Sequence, residues 1–176
     1  MKTIEHYEKL YGRPDRTARF ALADGRSILI YKWSEESSKE GVTLYATDGV
    51  RELLKDGSDA CEFYIGLRPE VDDVVEAIAE AAFDGNGTGV PPNSGDTITL
   101  SFPLWKGTVA ATFLFTNGDG ILPPIQDNGT AIHFVKLVPI FPNELEYKKR
   151  FGEDALWERF ESQGVEYWNA YREPSS

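Results

Sequence analysis

The chain contains 176 residues, carries a formal net charge of −11 and has a single cysteine, Cys61. This length suits one domain that buries its own core, and one cysteine excludes an internal disulfide or a cysteine-rich zinc site. The negative charge argues against nucleic-acid binding, which depends on clustered Lys and Arg. We expect no membrane span and no secretory signal, because no apolar run is long enough and the N-terminus is charged. We therefore expect a cytoplasmic protein.

The first part of the chain predicts one helix and a series of strands. Residues 3–12 place apolar side chains at helical spacing and end at Gly12-Arg13-Pro14. Asp24-Gly25 between alternating apolar residues is typical of a β-hairpin, and the polar stretch 34–40 predicts a loop. Strands are predicted at 17–23, 26–33, 42–47 and 60–67.

The next element is predicted to be an acidic amphipathic helix that begins at Pro69 and runs to about Phe83. Its apolar side chains fall on one face. The opposite face, called the acidic face below, carries Asp73, Glu76, Glu80 and Asp84. The segment 52–84 holds ten acidic residues against Lys55 and Arg68 alone, a net charge of −8. Two interpretations remain open: a solvated helix face, or a surface that attracts a basic protein partner.

The second half of the chain predicts two long loops, three strands and two helices. Glycine, proline, asparagine and aspartate dominate 84–95 and 117–130, so both are predicted to be loops that are candidates for function. Strands are predicted at 97–102, 109–116 and 131–140, and helices at 143–151 and 154–163. The strand at 131–140 is almost continuously apolar, which suits a central position in a sheet.

These elements predict an α+β fold. We expect a single domain over 1–176, with a core at about 4–163 and a C-terminal tail at 164–176 that frays at its last four residues. The sheet is expected to be mixed or antiparallel, with helices packed against it. No internal repeat or linker divides the chain.

The sequence offers no recognisable catalytic, cofactor or metal motif. His6 and His133 are isolated, whereas a metal site needs three or four ligands at recognisable spacing. Cys61 lies in an apolar strand, as a buried inert thiol does. We therefore predict no catalytic residue, no cofactor and no metal. Trp105, in Pro103-Leu-Trp-Lys-Gly, has two interpretations: a core residue, or an exposed interface hot spot.

Several short motifs, taken in order, resemble the suppressor-of-fused domain family over roughly residues 4–163. They are Leu44–Val50, Glu62–Leu67, Gly95–Ile98, Phe102–Leu104, Val138–Tyr147, Gly152 and Ala155-Leu156. One departure is Phe141, which stands where the family often has a threonine that caps the following helix. Glu144 remains in a position to serve that helix start, but the reciprocal capping box is broken.

The resemblance implies a non-enzymatic protein-binding domain. In animals the two-domain member sequesters a zinc-finger transcription factor of Hedgehog signalling by gripping a peptide as an added β-strand. Single-domain bacterial members resemble immunity proteins of polymorphic toxin systems, and this chain has the length of the conserved domain alone.

Three hypotheses follow from the resemblance and the charge. The leading one is a bacterial immunity protein that binds and neutralises a basic toxin domain, with no nucleic-acid or membrane partner. The alternative is an intracellular peptide-binding module that acts by strand addition at a sheet edge. The third is an enzyme of unrecognised chemistry. The candidate partner-binding residues are Asp73, Glu76, Glu80, Asp84 and Trp105.

Overall fold

The computed structural model describes residues 2–55, 57, 59–84, 89–118 and 120–176. The helices are α1 (Thr3–Tyr11), α2 (Glu35–Ser38), α3 (Val74–Asp84), α4 (Pro142–Phe151) and α5 (Glu153–Ser162), and a 3-10 helix spans Val50–Leu53. The strands are β1 (Arg16–Ala21), β2 (Ser27–Trp33), β3 (Thr43–Asp48), β4 (Ala60–Leu67), β5 (Thr97–Thr99), β6 (Thr112–Thr116), β7 (Ile125–Asp127) and β8 (Thr130–Ile140).

The eight strands of the described residues form one mixed sheet, in which seven follow the order β1-β2-β3-β4-β8-β6-β5. β4 and β8 run parallel at its centre, and the other neighbouring pairs are antiparallel. β7 pairs with the first residues of β8. A parallel pair needs a crossover connection, and the one here contains α3. The mixed sheet and the central position of β8 confirm the predicted fold class.

Helices cover both faces of the sheet, as the strand pattern requires. Phe63 and Tyr64 of β4 belong to different core clusters, because successive side chains of a strand point to opposite faces. On one face α3 contributes Ile78 to the cluster that contains Phe63. On the other, Tyr7 of α1 packs edge-on against Trp33, with ring centroids 5.5 Å apart. Helices α4 and α5 cover the rest of that second face through Leu114, Val138, Leu145, Leu156 and Phe160.

Helix α3 begins at Val74, five residues later than Pro69, so the predicted helix start is wrong. The preceding turn is held against the sheet by Tyr45. The Tyr45 hydroxyl donates to Asp72 Oδ1 at 2.9 Å and accepts from the Val71 amide at 3.1 Å. These bonds fix Val71 and Asp72 outside the helix, although the apolar pattern continues through them.

Two predicted loops contain regular structure. The stretch 34–40 holds α2, because the Ser34 side chain accepts from the Ser37 amide at 3.2 Å and caps a single turn. The stretch 117–130 holds β7, which joins β8 through the two-residue turn Asn128-Gly129. Both turn residues have positive φ, 49° and 84°, the conformation that favours Asn-Gly in tight hairpins. Of the predicted loop at 84–95, residues 85–88 lie outside the described residues.

Strands β5 and β6 are shorter than predicted because the segment between them folds back on itself. The Leu104 amide donates to the Ala110 carbonyl at 2.9 Å, and the Leu100 amide donates to the Ala111 carbonyl at 2.8 Å. This compact connection, residues 100–111, determines the position of Trp105.

Candidate functional site

The acidic face lies on the outer side of α3. Glu76 and Asp84 are exposed and Glu80 is half-buried, and their four-residue spacing aligns them along the helix. A hydrogen bond with Asp84 raises the pKa of Glu80, so these two carboxyl groups lie side by side. Exposed Asp73 precedes the helix and accepts from the Lys106 amide at 3.4 Å. The four predicted acids therefore occur together, with Asp73 also holding the connection at 100–111.

Trp105 does not belong to this surface, and the interpretation of it as an exposed hot spot is wrong. Only 6% of the residue is exposed, and it lies in the core cluster on the α3 side of the sheet with Leu104. The fold-back of the connection turns both side chains inward. The apolar residues that the same connection exposes are Phe102 at 36% and Val109 at 69%.

A buried carboxylate on β4, Glu62, organises the turn that follows β3. Its oxygens accept from the Thr47 hydroxyl at 2.7 Å, the Gly49 amide at 2.9 Å and the Val50 amide at 3.1 Å. Burial raises the pKa of Glu62 to about 7, although the hydrogen bond from Thr47 opposes that shift. Its partners belong to β3 and the turn after it, so the arrangement is a structural clamp. Glu62 is one of ten acidic residues in the segment 52–84, so its sequence context does not distinguish it from the others.

A second buried carboxylate, Glu144, anchors the C-terminal tail. Both of its oxygens accept from Arg172, at 2.7 and 2.8 Å, and the Phe141 and Ser175 amides donate to it at 2.9 Å each. The expectation that the last four residues fray is therefore wrong, because Ser175 is buried. Glu144 serves the start of α4 as predicted, while Phe141 has no side-chain acceptor to complete a capping box.

The two histidines and the cysteine lie in three different environments. His6 stacks on Phe134 with ring centroids 5.4 Å apart, and burial lowers its pKa. Burial raises the pKa of Cys61 to about 12, which keeps this thiol protonated and unreactive at neutral pH. His133 is exposed on β8. Within the described ranges, no group of three or more His, Cys, Asp and Glu side chains is arranged to hold a metal ion.

The sheet has an open edge at β5, where some backbone N–H and C=O groups point away from the sheet. The Phe115 amide and carbonyl bond to Asp96 and Gly95, so Phe113, two residues earlier, also faces β5 and pairs with Ile98. Backbone groups alternate sides along a strand. Thr97 and Thr99 therefore direct their amides and carbonyls away from the sheet. The exposed Phe102 and Val109 belong to the connection that follows β5.

No helix in the described part of the chain is both long enough and apolar enough to span a bilayer. A search of curated protein sequences gives no significant match. Among solved structures, the fold is similar to that of a SUFU homologue from Neisseria gonorrhoeae FA 1090, with a TM-score of 0.74, 19% identity, and coverage of 98% of this chain and 93% of that chain.

Two further structures share the fold. One is the Sufu–Fu complex, with a TM-score of 0.73, 16% identity, and coverage of 98% of this chain and 89% of that chain. The other is Drosophila Suppressor of Fused, with a TM-score of 0.70, 16% identity, and coverage of 99% of this chain and 50% of that chain. This chain thus spans half of the Drosophila protein, and likeness at these identities concerns the fold alone.

The family itself follows from the sequence. A sequence model described as "Suppressor of fused protein (SUFU)" matches residues 24–173. That range contains every motif on which the resemblance rested, from Leu44–Val50 to Ala155-Leu156, and the clamp at Glu62 shows how two of those motifs contact one another. The match to the family model extends over most of the chain, and the protein therefore belongs to the suppressor-of-fused family.

Proposed function

We propose that this protein is a non-enzymatic immunity protein of the bacterial cytoplasm that binds and neutralises a basic toxin domain. The observation that carries the proposal is the acidic face of α3, set in a family fold for which one solved structure is a complex with a protein partner, Fu. The overall charge of −11 suits rapid association with a cationic protein through electrostatic steering.

The acidic face is suited to this role because the carboxylates on its helix form no ion pair within the described part of the chain. Asp72, next to it, is paired with Lys32 at 2.6 Å, whereas no ion pair within the 4.0 Å limit joins Glu76, Glu80 or Asp84 to a basic residue among the described residues. A partner's Lys and Arg side chains would therefore meet carboxylates that are not already paired with a cation of the described residues. The rigid helix keeps the carboxylates at fixed spacing, which reduces the entropy lost on binding.

Co-expression tests the proposal. The gene would be expressed with the toxin-domain gene beside it in its genome, and growth and co-purification would be measured. We expect restored growth and a stable complex. Full toxicity in the presence of well-folded protein, with no co-purification, would overturn the proposal.

A second candidate function is peptide binding by strand addition at the β5 edge. It is favoured by the outward backbone groups of Thr97 and Thr99 and by the exposed apolar side chains of Phe102 and Val109. An added strand would bond to the former and cover the latter. Replacing Thr99 by Pro removes one outward N–H, which an edge strand tolerates. Loss of peptide binding in that variant, with toxin binding retained, would separate the two functions.

A further inference from the structure

The central strand β8 has a gap in its pairing. Ile132 pairs with Ala60 of β4 on one side and with Ile125 of β7 on the other, so β7 lies on the edge opposite β4. β6 occupies that same edge from Lys136 onward. β7 and β6 are thus placed end to end along β8, and the residues between their pairings, 133–135, face neither strand.

The backbone groups that face the gap belong to Phe134. The two-residue turn at 128–129 makes Asp127 and Thr130 a hydrogen-bonded pair. Bonding groups alternate along a strand, so the even-numbered residues of β8 face this edge. The pairing with β6 gives the same result. The backbone groups of Phe115 bond to Gly95 and Asp96, on the side of β5, so those of the next residue, Thr116, face Lys136 of β8. Phe134 is the even-numbered residue in the gap.

The chain leaves the sheet on both sides of the gap for identifiable reasons. Gly118, which would continue the pairing of β6, has a φ of 75°, a left-handed conformation that ends an extended strand. Pro123, which would continue the pairing of β7, has no N–H to donate. Neither residue bonds to Phe134 among the backbone hydrogen bonds of the described chain.

A cavity of about 900 Å³ lies over this gap, a volume within the range of ligand sites. Its walls include two proline pairs, Pro91-Pro92 and Pro123-Pro124, and among the described residues its lining includes the carboxylate of Asp59. The Phe134 ring packs on the α1 side, 5.4 Å from the His6 ring and 5.6 Å from the Tyr7 ring. The cavity therefore meets Phe134 at its backbone, between the two proline pairs, whose rings are apolar and carry no N–H donor.

We propose that this gap binds a short extended peptide segment of a partner protein, independently of the acidic face and of the β5 edge. The Phe134 amide donates to the carbonyl of the segment's central residue, and the amide of that residue donates to the Phe134 carbonyl. The gap at 133–135 fits about three residues of an extended chain. An aromatic or apolar side chain at the centre packs against the prolines, and Asp59 favours flanking Lys or Arg over acidic residues.

Backbone amide exchange in the free protein tests the gap itself. We expect the Phe134 amide to exchange with solvent deuterium at least 10-fold faster than the Ile132 and Lys136 amides, which face β7 and β6. Equal protection of the three amides would overturn the proposal, because the Phe134 N–H would then be bonded already.

Binding is tested with the peptide Ac-Lys-Thr-Tyr-Thr-Lys-NH2 and a matched analogue methylated at the tyrosine nitrogen. Titration into 15N-labelled protein should move the amide resonances of residues 133–135 saturably, and the methylated analogue should bind at least 10-fold more weakly. Asp59→Lys should weaken binding several-fold, whereas Asp154→Lys, on the exposed surface of α5, should not. No shift at 133–135 at millimolar peptide, equal binding of the two peptides, or shifts confined to β1 or β5 would each overturn the proposal.

Discussion

Thr47 and Glu62 join the two strands on which the family motifs of the first half of the chain lie. The Thr47 hydroxyl donates to Glu62 Oε2 at 2.7 Å and accepts from the Phe63 amide at 2.8 Å. The same carboxylate accepts from the amides of Gly49 and Val50, so the end of β3, the turn and β4 form one hydrogen-bonded unit. The two motifs thus specify the two halves of one hydrogen-bonded turn.

Glu62 gives the protein a pH-dependent stability of defined sign. Burial raises its pKa from 4.5 to about 7, so the folded state holds the proton more tightly than the unfolded state. Its contribution to stability is then fully present below about pH 4.5 and is lost as the pH rises to about 7. Relative to Glu62→Gln, the wild type should lose on the order of 1–3 kcal/mol across this range. Urea unfolding of both proteins from pH 4.5 to 8 measures the difference; parallel pH profiles would contradict it.

We expect alanine to destabilise the fold more at position 49 than at position 25. Gly49 has a φ of 123°, and a Cβ there would lie 2.8 Å from the Ser27 carbonyl oxygen. Gly25 has a φ of 90° with nothing within 4 Å of the corresponding position. Backbone strain should lower the free energy of unfolding of both alanine variants by about 1–3 kcal/mol, and the Cβ of Gly49→Ala also overlaps a carbonyl oxygen. Denaturation midpoints should rank wild type, Gly25→Ala and Gly49→Ala in falling order. The reverse order of the two variants would contradict this account of the turn.

The sequence was sufficient to predict the elements with strong periodic patterns. The helices at 3–12, 143–151 and 154–163 and the central strand at 131–140 carry clear apolar spacing and glycine or proline at their ends, and each occurs within a few residues of its predicted position. The later start of α3 was not predictable in this way, because the Tyr45 hydroxyl that holds Val71 and Asp72 comes from a strand distant in sequence.

The candidate site was predictable only where it depends on local sequence. The acidic face follows from helical spacing, and the structure places its four residues together. The burial of Trp105 depends on the fold-back that joins Leu104 to Ala110, which no local pattern specifies. The same is true of Glu62 and Glu144, whose partners are brought to them by the fold. The pair Asn128-Gly129 is typical of a tight hairpin, so the hairpin at 127–130 has a local signal even though the composition of 117–130 predicts a loop.

Arg172 is expected to be critical for stability, because it neutralises a buried carboxylate. The Glu144 and Arg172 side chains are 0% and 8% exposed, and removing one partner of such a pair costs about 3–5 kcal/mol. Arg172→Met should therefore lower the free energy of unfolding by that amount. Lys149→Met, which breaks the exposed pair with Glu146, should cost about 0–1 kcal/mol. Chemical denaturation of the two variants gives the comparison, and similar small losses would show that the tail is not anchored by this pair.

The same pair responds to pH in the direction opposite to Glu62. Burial opposes the charge of Glu144, but the hydrogen bonds from Arg172, Ser175 and Phe141 outweigh it and lower its pKa. The stability that Glu144 contributes is then present above its unfolded pKa of about 4.5 and is lost as the pH falls below that value. In Arg172→Met this acid-side loss should be reduced. An unchanged acid limb of the stability profile would contradict the assignment.

Trp105 and Phe102 provide a test of which aromatic residue of the connection supports the fold. Trp105 is 6% exposed and Phe102 36%. Trp105→Ala should cost about 3–5 kcal/mol, as expected for a large core side chain, and Phe102→Ala less than about 1 kcal/mol, as a partly exposed position allows. Thermal unfolding measures both. A stable, folded Trp105→Ala protein would place the side chain outside the core and revive its interpretation as an interface residue.

The acidic face is expected to control the rate of association with the proposed basic toxin domain. Glu76→Lys combined with Asp84→Lys should lower the association rate on the order of 10-fold at low salt, with a smaller effect on dissociation. Glu158→Lys combined with Glu161→Lys makes the same change in net charge on exposed positions of α5 and serves as the matched control. Stopped-flow binding at increasing ionic strength measures both pairs, and the wild-type rate should fall with salt because exposed charges are screened. Equal effects of the two pairs would assign the steering to net charge, and a rate independent of salt would remove the acidic face from the mechanism.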